Sequence, residues 1–371
     1  SNAHSLTGDG PGMLFQKGLP LEDMEFYQFH PTGIYRLGIL LSEAARGEGG
    51  ILINKNGERF MERYAPSIKD LAPRDMVSRA IATEVREGNG AGPNNDYVLL
   101  DLTHLGEDVL REKLPDITDF VRTYVKIEPI TDPIPVQPTA HYAMGGIPTN
   151  VNGEVFSDEK GTILQGVYAA GESACVSVHG ANRLGTNSLL DIVVFGRRAG
   201  KSMVDYVSKT AHMTLSDNSA EDVINKITDL LERQHNEEYS VSNIREELQE
   251  SMSSNAQIFR TEEKLSKQTE ILEDLRNRSK NITVSDKGKV FNTELLDAIE
   301  LENLLDMAEA TVASALERKE SRGAHTREDY PERDDLNFLK HSFTSKDTSG
   351  KIKVKYKDVE LGKYPPMERK Y

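Results

Sequence analysis

The stretch HGANRLGTNSLLD, residues 179–191, decides the fold of this chain. It follows the β-type run GVYAAG, residues 166–171, and leads into the apolar run 189–195. A buried strand that ends in glycine and continues through a polar turn into a helix is typical of α/β proteins. Asp191 lies three residues after Ser188, as in a capping box, which predicts that Ser188 caps a helix there. Free N–H groups at such a helix start favour an electron-rich ligand.

Upstream of this stretch, the patterns of helix and strand alternate. Residues 134–175 are β-rich, and residues 31–137 mix both patterns in what we predict to be a compact α+β segment. The sequence TGDGPG, residues 7–12, predicts a glycine-dense turn. It is not a dinucleotide-binding fingerprint, because Pro11 interrupts the spacing. Residues 24–29 alternate as a strand does.

Downstream, the periodicity becomes helical and then polar. Apolar residues recur three and four positions apart in four segments, which predict a helical bundle: 220–234, 241–259, 261–277 and 292–320. Near the end of the chain, residues 352–356 (IKVKY) alternate as an edge strand does.

Composition excludes several classes of protein. The 371 residues allow two to three domains, and a net charge of −15 disfavours a nucleic-acid partner. The single cysteine, Cys175, permits neither an internal disulfide nor a thiolate metal or iron–sulfur site, so we expect no metal and a reducing compartment. No apolar run is long enough to span a membrane. Residues 1–3 look like a cloning remnant, and no signal peptide is recognisable.

Four cationic or donor side chains lie in glycine-rich surroundings and suit a small dicarboxylate: His30, Arg74, His141 and Arg183. Arginine binds a carboxylate through two parallel hydrogen bonds, and a protein of net charge −15 needs such a local reversal of sign to bind a dianion. Taken singly, each of these residues is more often a structural one.

Several motifs together resemble the flavoprotein family of succinate dehydrogenase and fumarate reductase. They occur in one order along the chain: QFHPTG (28–33), SEAARGEGG (42–50), PTAHYAMGG (138–146), HGANRLGTNSLLD (179–191) and SRGAHTREDY (321–330). The resemblance covers essentially the whole chain.

The resemblance implies a multidomain α+β and α/β fold. It places the end of the first half of an FAD-binding domain at 1–24, a capping domain at 25–137, the second half of the FAD-binding domain at 138–205, a helical domain at 206–330 and a C-terminal region at 331–371. It also implies that the chain starts after the dinucleotide fingerprint and the histidine that holds flavin covalently.

The resemblance further implies roles for individual residues in succinate oxidation. Arg74 would accept the proton, with Glu43 and Arg46 as a relay to solvent. Neutralising an arginine at pH 7 costs about 7.5 kcal/mol, which a barrier of ~16 kcal/mol accommodates. The substrate carboxylates would be bound by His30, Ser42, His141 and Arg183, with Thr32 close by. Ser42 stands where many members carry threonine and keeps the hydroxyl donor.

FAD is the expected cofactor, contacted by Asp9, Glu172, Ser188 and Leu189, with weak or absent binding in this chain because the pyrophosphate site lies outside it. From the residues alone, Ser188 as a mere cap and Glu172 as a surface carboxylate remain open. The implied partners are succinate or fumarate, an iron–sulfur subunit, membrane-anchor subunits and quinone. The implied location is peripheral, on the cytoplasmic face of a bacterial inner membrane or the matrix face of the mitochondrial one.

Three alternatives remain open at this point. Fumarate reductase and L-aspartate oxidase flavoproteins share the scaffold, although residues 51–64 and the long helical C-terminal part look closer to the dehydrogenase. A third alternative is a folded module without redox chemistry that serves subunit assembly.

Overall fold

The computed structural model describes residues 1–367, which divide into two compact units. The first unit comprises Ser1–Ala3, Tyr27–Tyr142 and the segment from Leu361 onward. The second unit comprises His4–Phe26 and Ala143–Glu360.

The α-helices of the described residues are α1 (Asp9–Gln16), α2 (Ala44–Gly47), α3 (Met61–Tyr64), α4 (Arg74–Arg86), α5 (Glu107–Lys113), α6 (Pro115–Phe120), α7 (Asn187–Val207), α8 (Glu221–Glu232), α9 (Val241–Asn255), α10 (Glu262–Ser279), α11 (Thr293–Glu317) and α12 (Asp335–Phe338). The strands are β1 (Leu21–Glu22), β2 (Tyr27–Ile34), β3 (Ile51–Ile53), β4 (Val98–Asp101), β5 (Ile134–Ala143), β6 (Ile147–Pro148), β7 (Glu154–Phe156), β8 (Ile163–Tyr168), β9 (Ala174–Cys175), β10 (Phe259–Arg260), β11 (Thr326–Arg327), β12 (Lys340–Lys346) and β13 (Ile352–Asp358). None of these helices combines the length and apolar composition needed to cross a bilayer.

The first unit is built on a four-stranded sheet with the order β2-β5-β4-β3. Along β4, burial alternates so that Val98 and Leu100 face the core, as expected for a sheet with one covered face. Helix α4 packs against β2 and buries Val77, Ala80 and Ile81, positions spaced for one helical face. This packing fixes the start of α4 beside the strand that carries His30.

The second unit contains the helical bundle. Helices α9, α10 and α11 pack together around a buried cluster that includes Leu265, Leu272 and Leu301. Each of these helices starts at a side-chain cap, in which the residue before the helix accepts a backbone N–H: Ser240, Thr261 and Asn292. The four predicted helices are confirmed as α8 to α11, with ends that differ by up to four residues.

The second unit also contains small sheets. Strands β1, β12 and β13 form an antiparallel sheet in which β13 is the edge, as predicted for residues 352–356. Parallel pairs join β6 to β9 and β10 to β11, and β7 pairs antiparallel with β8. Cys175 lies on β9 and is buried.

Two expectations about glycine-rich segments are wrong. The turn expected over 7–12 ends earlier, because α1 already begins at Asp9, after Gly8 with its positive φ of 78°. A helix is possible there since Pro11 lies in the first turn, where a missing N–H costs nothing. The run 166–171 is not a buried strand: β8 covers 163–168, with its middle exposed and Gly166 at φ 82°.

Helix α7 shows an inverted burial pattern. Its buried residues are Asp191 and Ala199, whereas its large apolar side chains are mostly exposed. The exposed set is Leu189, Leu190, Ile192, Val193, Val194, Met203, Val204 and Val207, which we call the α7 apolar face. An apolar patch of this extent is uncommon on a soluble monomer.

Candidate functional site

Arg74, the first residue of α4, is held by a bidentate carboxylate. Its Nε and Nη2 donate to the two oxygens of Glu43 at 2.9 and 3.0 Å, and its Nη1 donates to Oε1 of Gln28 at 3.0 Å. Asp70 and Asp75, the acidic residues nearest to Arg74 in sequence, do not pair with it. Asp70 instead pairs with Arg59, and Asp75 with Arg79.

Glu43 also accepts a hydrogen bond from a second, buried arginine, Arg46. Its Nη2 donates to Oε1 of Glu43 at 3.2 Å, and its Nη1 donates to the backbone oxygen of Asp70. Burial lowers the pKa of Arg46, against the opposing effect of the Glu43 charge, and the Arg74 charge lowers it further. Glu43 therefore bridges two arginines, in the order Arg74, Glu43, Arg46.

Two histidines of the first unit meet edge to face. The rings of His30 and His141 lie 5.2 Å apart at 68°, on β2 and β5. Thr32 donates its hydroxyl to the oxygen of Leu41 at 2.8 Å, and its backbone N–H donates to Nδ1 of His30 at 3.3 Å. These contacts fix the orientation of the His30 ring.

Among the residues of the first unit that were expected to bind the substrate, Ser42 and His141 are the more accessible to solvent. Ser42 is exposed, and its Oγ accepts the backbone N–H of Ala44 at 3.3 Å. His141 is partly buried and contacts Oγ of Ser1 through Nδ1 at 2.8 Å.

In the second unit, Arg183 is buried and donates from Nη1 to Oγ of Ser188 at 3.1 Å. The expected capping box is absent, which corrects the sequence prediction. The residue before α7 is Thr186 with φ 65°, and no side chain caps the helix. Asp191 instead contacts Nε2 of His179 at 3.2 Å, with both side chains buried.

The expected cofactor residues of the second unit have different surroundings. Glu172 is partly buried and accepts the backbone N–H of Ala143 at 3.1 Å. Burial raises its pKa, and the Ala143 hydrogen bond opposes that effect. Asp9 is exposed, with Oδ1 accepting from Thr7 and Asn303, and Leu189 is 65% exposed on α7.

Sequence reasoning did not find three residues that hold these groups in place: Gln28, Asp70 and His179. Gln28 lies within the quoted motif and two residues before His30, so its position on the same face of β2 was a usable signal. Asp70 acts on Arg46 through a backbone oxygen, for which the sequence carries no signal.

The chemistry available in each unit follows from these contacts. The first unit offers a buried arginine, a bridging carboxylate and a second arginine within hydrogen-bond distance of one another, a chain along which a proton can pass. The second unit offers the buried guanidinium of Arg183, a type of group that can bind a carboxylate, and the start of a 21-residue helix without a side-chain cap, where the helix dipole favours an electron-rich group.

Comparison with known families gives two matches along the chain. The FAD binding domain family matches residues 1–189, and the fumarate reductase flavoprotein C-terminal family matches residues 245–371.

The similar sequences include several from bacteria. Succinate dehydrogenase flavoprotein subunits of Rickettsia felis and Coxiella burnetii are each 48% identical to the whole chain, which covers 64% and 63% of their lengths. A fumarate reductase flavoprotein subunit of Serratia is 43% identical, again over the whole chain and 63% of its own length. The chain thus spans less than two thirds of the length of these curated relatives.

Among solved structures, a quinol fumarate reductase of E. coli matches with a TM-score of 0.92 and 42% identity. The match covers 99% of this chain and 64% of that chain. The mixed helix and sheet fold expected from the sequence is thereby confirmed.

Proposed function

Since this chain belongs to the flavoprotein family of succinate dehydrogenase and fumarate reductase, we propose that it acts within a succinate dehydrogenase flavoprotein subunit and oxidises succinate to fumarate. The observation that carries the proposal is the chain Arg74, Glu43, Arg46, in which one carboxylate bridges two arginines. This chain of groups is suited to removing a proton from a carbon next to a carboxylate and passing it outward.

The substrate is proposed to be bound through its two carboxylates. His30 and His141 supply imidazole donors on adjacent strands, and Thr32 and Ser42 supply hydroxyl groups. In the second unit, Arg183 supplies a guanidinium whose Nη1 is oriented by Ser188. Donors of this kind recognise a dianion despite the net charge of −15.

FAD is the proposed cofactor, and the donor set of the second unit fits it. The start of α7 lacks a side-chain cap, and the helix dipole favours an electron-rich ring beside Ser188 and Leu189, while the N–H groups of Asn187 and Leu189 donate to backbone oxygens of the preceding turn. Glu172 is held by the Ala143 N–H and so presents a fixed carboxylate. Asp9 fits less well, because its Oδ1 is already engaged by Thr7 and Asn303. When bound, FAD supplies the acceptor for the hydride that leaves succinate.

The residues of the first unit handle the proton. The proton leaves the carbon next to the one that loses the hydride, and a nitrogen of the neutral Arg74 guanidine takes it up. A proton then passes from Nε of Arg74 to an oxygen of Glu43, 2.9 Å away, and from Glu43 to Arg46 as the Arg46 guanidinium releases one of its own protons to water. Loss of one hydride and one proton from adjacent carbons leaves the double bond of fumarate.

The subunit is proposed to pass electrons to an iron–sulfur partner and then to quinone, in a peripheral position on a membrane that carries the anchor subunits. The domain division that the resemblance implies is part of the same proposal, with residues 25–137 as the capping domain and 138–205 as part of the FAD-binding domain.

The test is a flavin absorption spectrum of the purified subunit complex that contains this chain, followed by dye reduction with succinate, because the chain alone is expected to bind flavin weakly. A yellow protein that reduces dye with succinate supports the dehydrogenase. A yellow protein that oxidises a reduced dye with fumarate, but is inert toward succinate, favours the reverse reaction, which the E. coli structural match also suggests. A colourless, inert protein that still binds its partner subunit supports a module without redox chemistry.

A further inference from the structure

Asp70 joins elements that are distant in sequence. It lies in the single 3₁₀ turn Lys69–Leu71 and is 2% exposed. Its Oδ1 accepts the backbone N–H of Leu52 on β3 at 2.8 Å, and its Oδ2 accepts Nε of Arg59 at 2.7 Å. A buried carboxylate with two such donors is strongly fixed.

The backbone oxygen of the same residue accepts Nη1 of Arg46. The guanidinium of Arg46 makes one further hydrogen bond, from Nη2 to Glu43 at 3.2 Å, while its Nε has no hydrogen-bond partner within residues 1–367. Two bonds therefore set the plane of this buried guanidinium, and Asp70 provides one of them.

The turn that holds Asp70 also leads directly into α4. Ala72 and Pro73 connect it to Arg74, the first residue of that helix. A displacement of the turn would therefore act on both arginines that Glu43 bridges. Removing the carboxylate would displace it, because the Leu52 N–H would lose its acceptor in a buried place and the Arg59 side chain, which is 36% exposed, would lose an ion-pair partner.

We propose that Asp70 is a positioning residue: its side chain anchors the turn to β3 and Arg59, so that its backbone oxygen holds Arg46 in line with Glu43 and Arg74. The catalytic meaning of this role rests on the proposed succinate oxidation, whereas the structural coupling between Asp70 and Arg46 does not.

The coupling is tested on the purified chain labelled with ¹³C and ¹⁵N in arginine, with the Arg46 signals assigned from the R46K variant. In Asp70→Asn, an amide replaces one of the two acceptor oxygens, and hydrogen exchange at Nη1 of Arg46 should become about tenfold faster, the equivalent of one lost charge-assisted hydrogen bond. Asp70→Glu keeps the charge, so its rate of hydrogen exchange at Nη1 of Arg46 should lie between the rates of Asp70→Asn and the wild type. The same variant replaces Asp70→Asn in the test if Asp70→Asn does not fold.

The matched control is Glu84→Gln. Glu84 is a fully buried carboxylate of the same unit that accepts from Arg63, Tyr64 and Asn54 and makes no recorded contact with Arg46. Both variants should lower the melting temperature, but only the Asp70 variants should change the Arg46 signals. Unchanged Arg46 exchange in Asp70→Asn, or an equal change in Glu84→Gln, would overturn the proposal.

A second arm addresses catalysis in the flavin-loaded complex. Asp70→Asn should lower kcat for succinate about tenfold and leave KM within about twofold, since the proposed carboxylate ligands are not touched. Equal losses in Glu84→Gln would overturn the catalytic part. If the wild type does not oxidise succinate, the proposed function fails, and the exchange data still decide whether Asp70 positions Arg46.

Discussion

Arg74 and Glu43 form a two-point ion pair, with Nε to Oε1 at 2.9 Å and Nη2 to Oε2 at 3.0 Å. The pair lies at the start of α4, where it is only partly accessible, since the Arg74 side chain is 10% exposed. The planar fork of arginine is what permits this geometry, and an ammonium cannot reproduce it.

Replacing Arg74 by lysine should therefore abolish most of the activity. The Lys variant keeps a positive charge but loses the second hydrogen bond and the directed nitrogen, so we expect kcat for succinate to fall by about a hundredfold or more. Steady-state dye reduction in the flavin-loaded complex measures this. Arg79→Lys is the matched control, because Arg79 lies on the same helix and pairs with Asp75. Similar losses in both variants would show that α4 tolerates no lysine and would remove the special role of Arg74.

A buried acidic pair should make stability depend on pH. Glu22 and Asp23 contact Nδ1 of His341 at 3.2 and 2.7 Å. Burial and the neighbouring Asp23 charge raise the pKa of Glu22 to about 8, against the charges of His341 and Lys357 and a hydrogen bond from Ser177. Burial lowers the pKa of His341, but the Asp23 hydrogen bond and both acidic charges outweigh it, so the net direction is upward.

The raised pKa values of Glu22 and His341 change the stability of the folded state in the same direction. The folded state binds protons more tightly than the unfolded one, so this contribution is present at low pH and is lost as pH rises from about 4.5 toward 8. We expect the melting temperature to fall over that range. Glu22→Gln and His341→Gln should each flatten the dependence in scanning fluorimetry. A slope as steep in both variants as in the wild type would assign the effect to other groups.

Arg318 should be a strong stability determinant of the second unit. Its fully buried guanidinium pairs with Glu25 and Glu320 and lies 4.8 Å from the ring centre of Phe26. Arg318→Met leaves the buried carboxylate of Glu25 without its cationic partner, whereas Glu320 keeps Arg322, and should cost about 3–5 kcal/mol of unfolding free energy in urea.

The control for Arg318 is Arg278→Met. Arg278 pairs with the partly exposed Glu247 and Asp274, so its replacement should cost below about 1 kcal/mol. A comparable cost in the two variants would contradict the distinction between buried and exposed pairs.

The α7 apolar face should cause the isolated chain to bind hydrophobic dyes and to self-associate. We expect fluorescence enhancement of a hydrophobic dye and concentration-dependent association in light scattering, because eight large apolar side chains of one helix meet solvent. Leu190→Lys with Val193→Lys and Val204→Lys should reduce both signals. Leu215→Lys is the control, since Leu215 is even more exposed but lies outside the helix. No difference between the triple variant and the control would mean that another surface binds the dye.

Local sequence patterns were sufficient to predict the helical bundle and the edge strand at 352–356. Each of α8 to α11 follows an apolar repeat of three and four residues, and the caps Ser240, Thr261 and Asn292 are themselves local signals. The strand at 166–171 was mispredicted, because an apolar run does not reveal whether anything packs on it.

The sequence by itself determined the family, through several motifs that resemble those of the family and occur in one order, and hence which residue types are candidates for the chemistry. Only the tertiary structure decided which partner each one has. Arg74 pairs with Glu43, 31 positions away, rather than with its neighbours, and Asp191 turns to His179 instead of capping a helix with Ser188. The physical reason is that a hydrogen bond of a side chain depends on distances across the fold, and sequence spacing constrains such distances only within a turn or one helix.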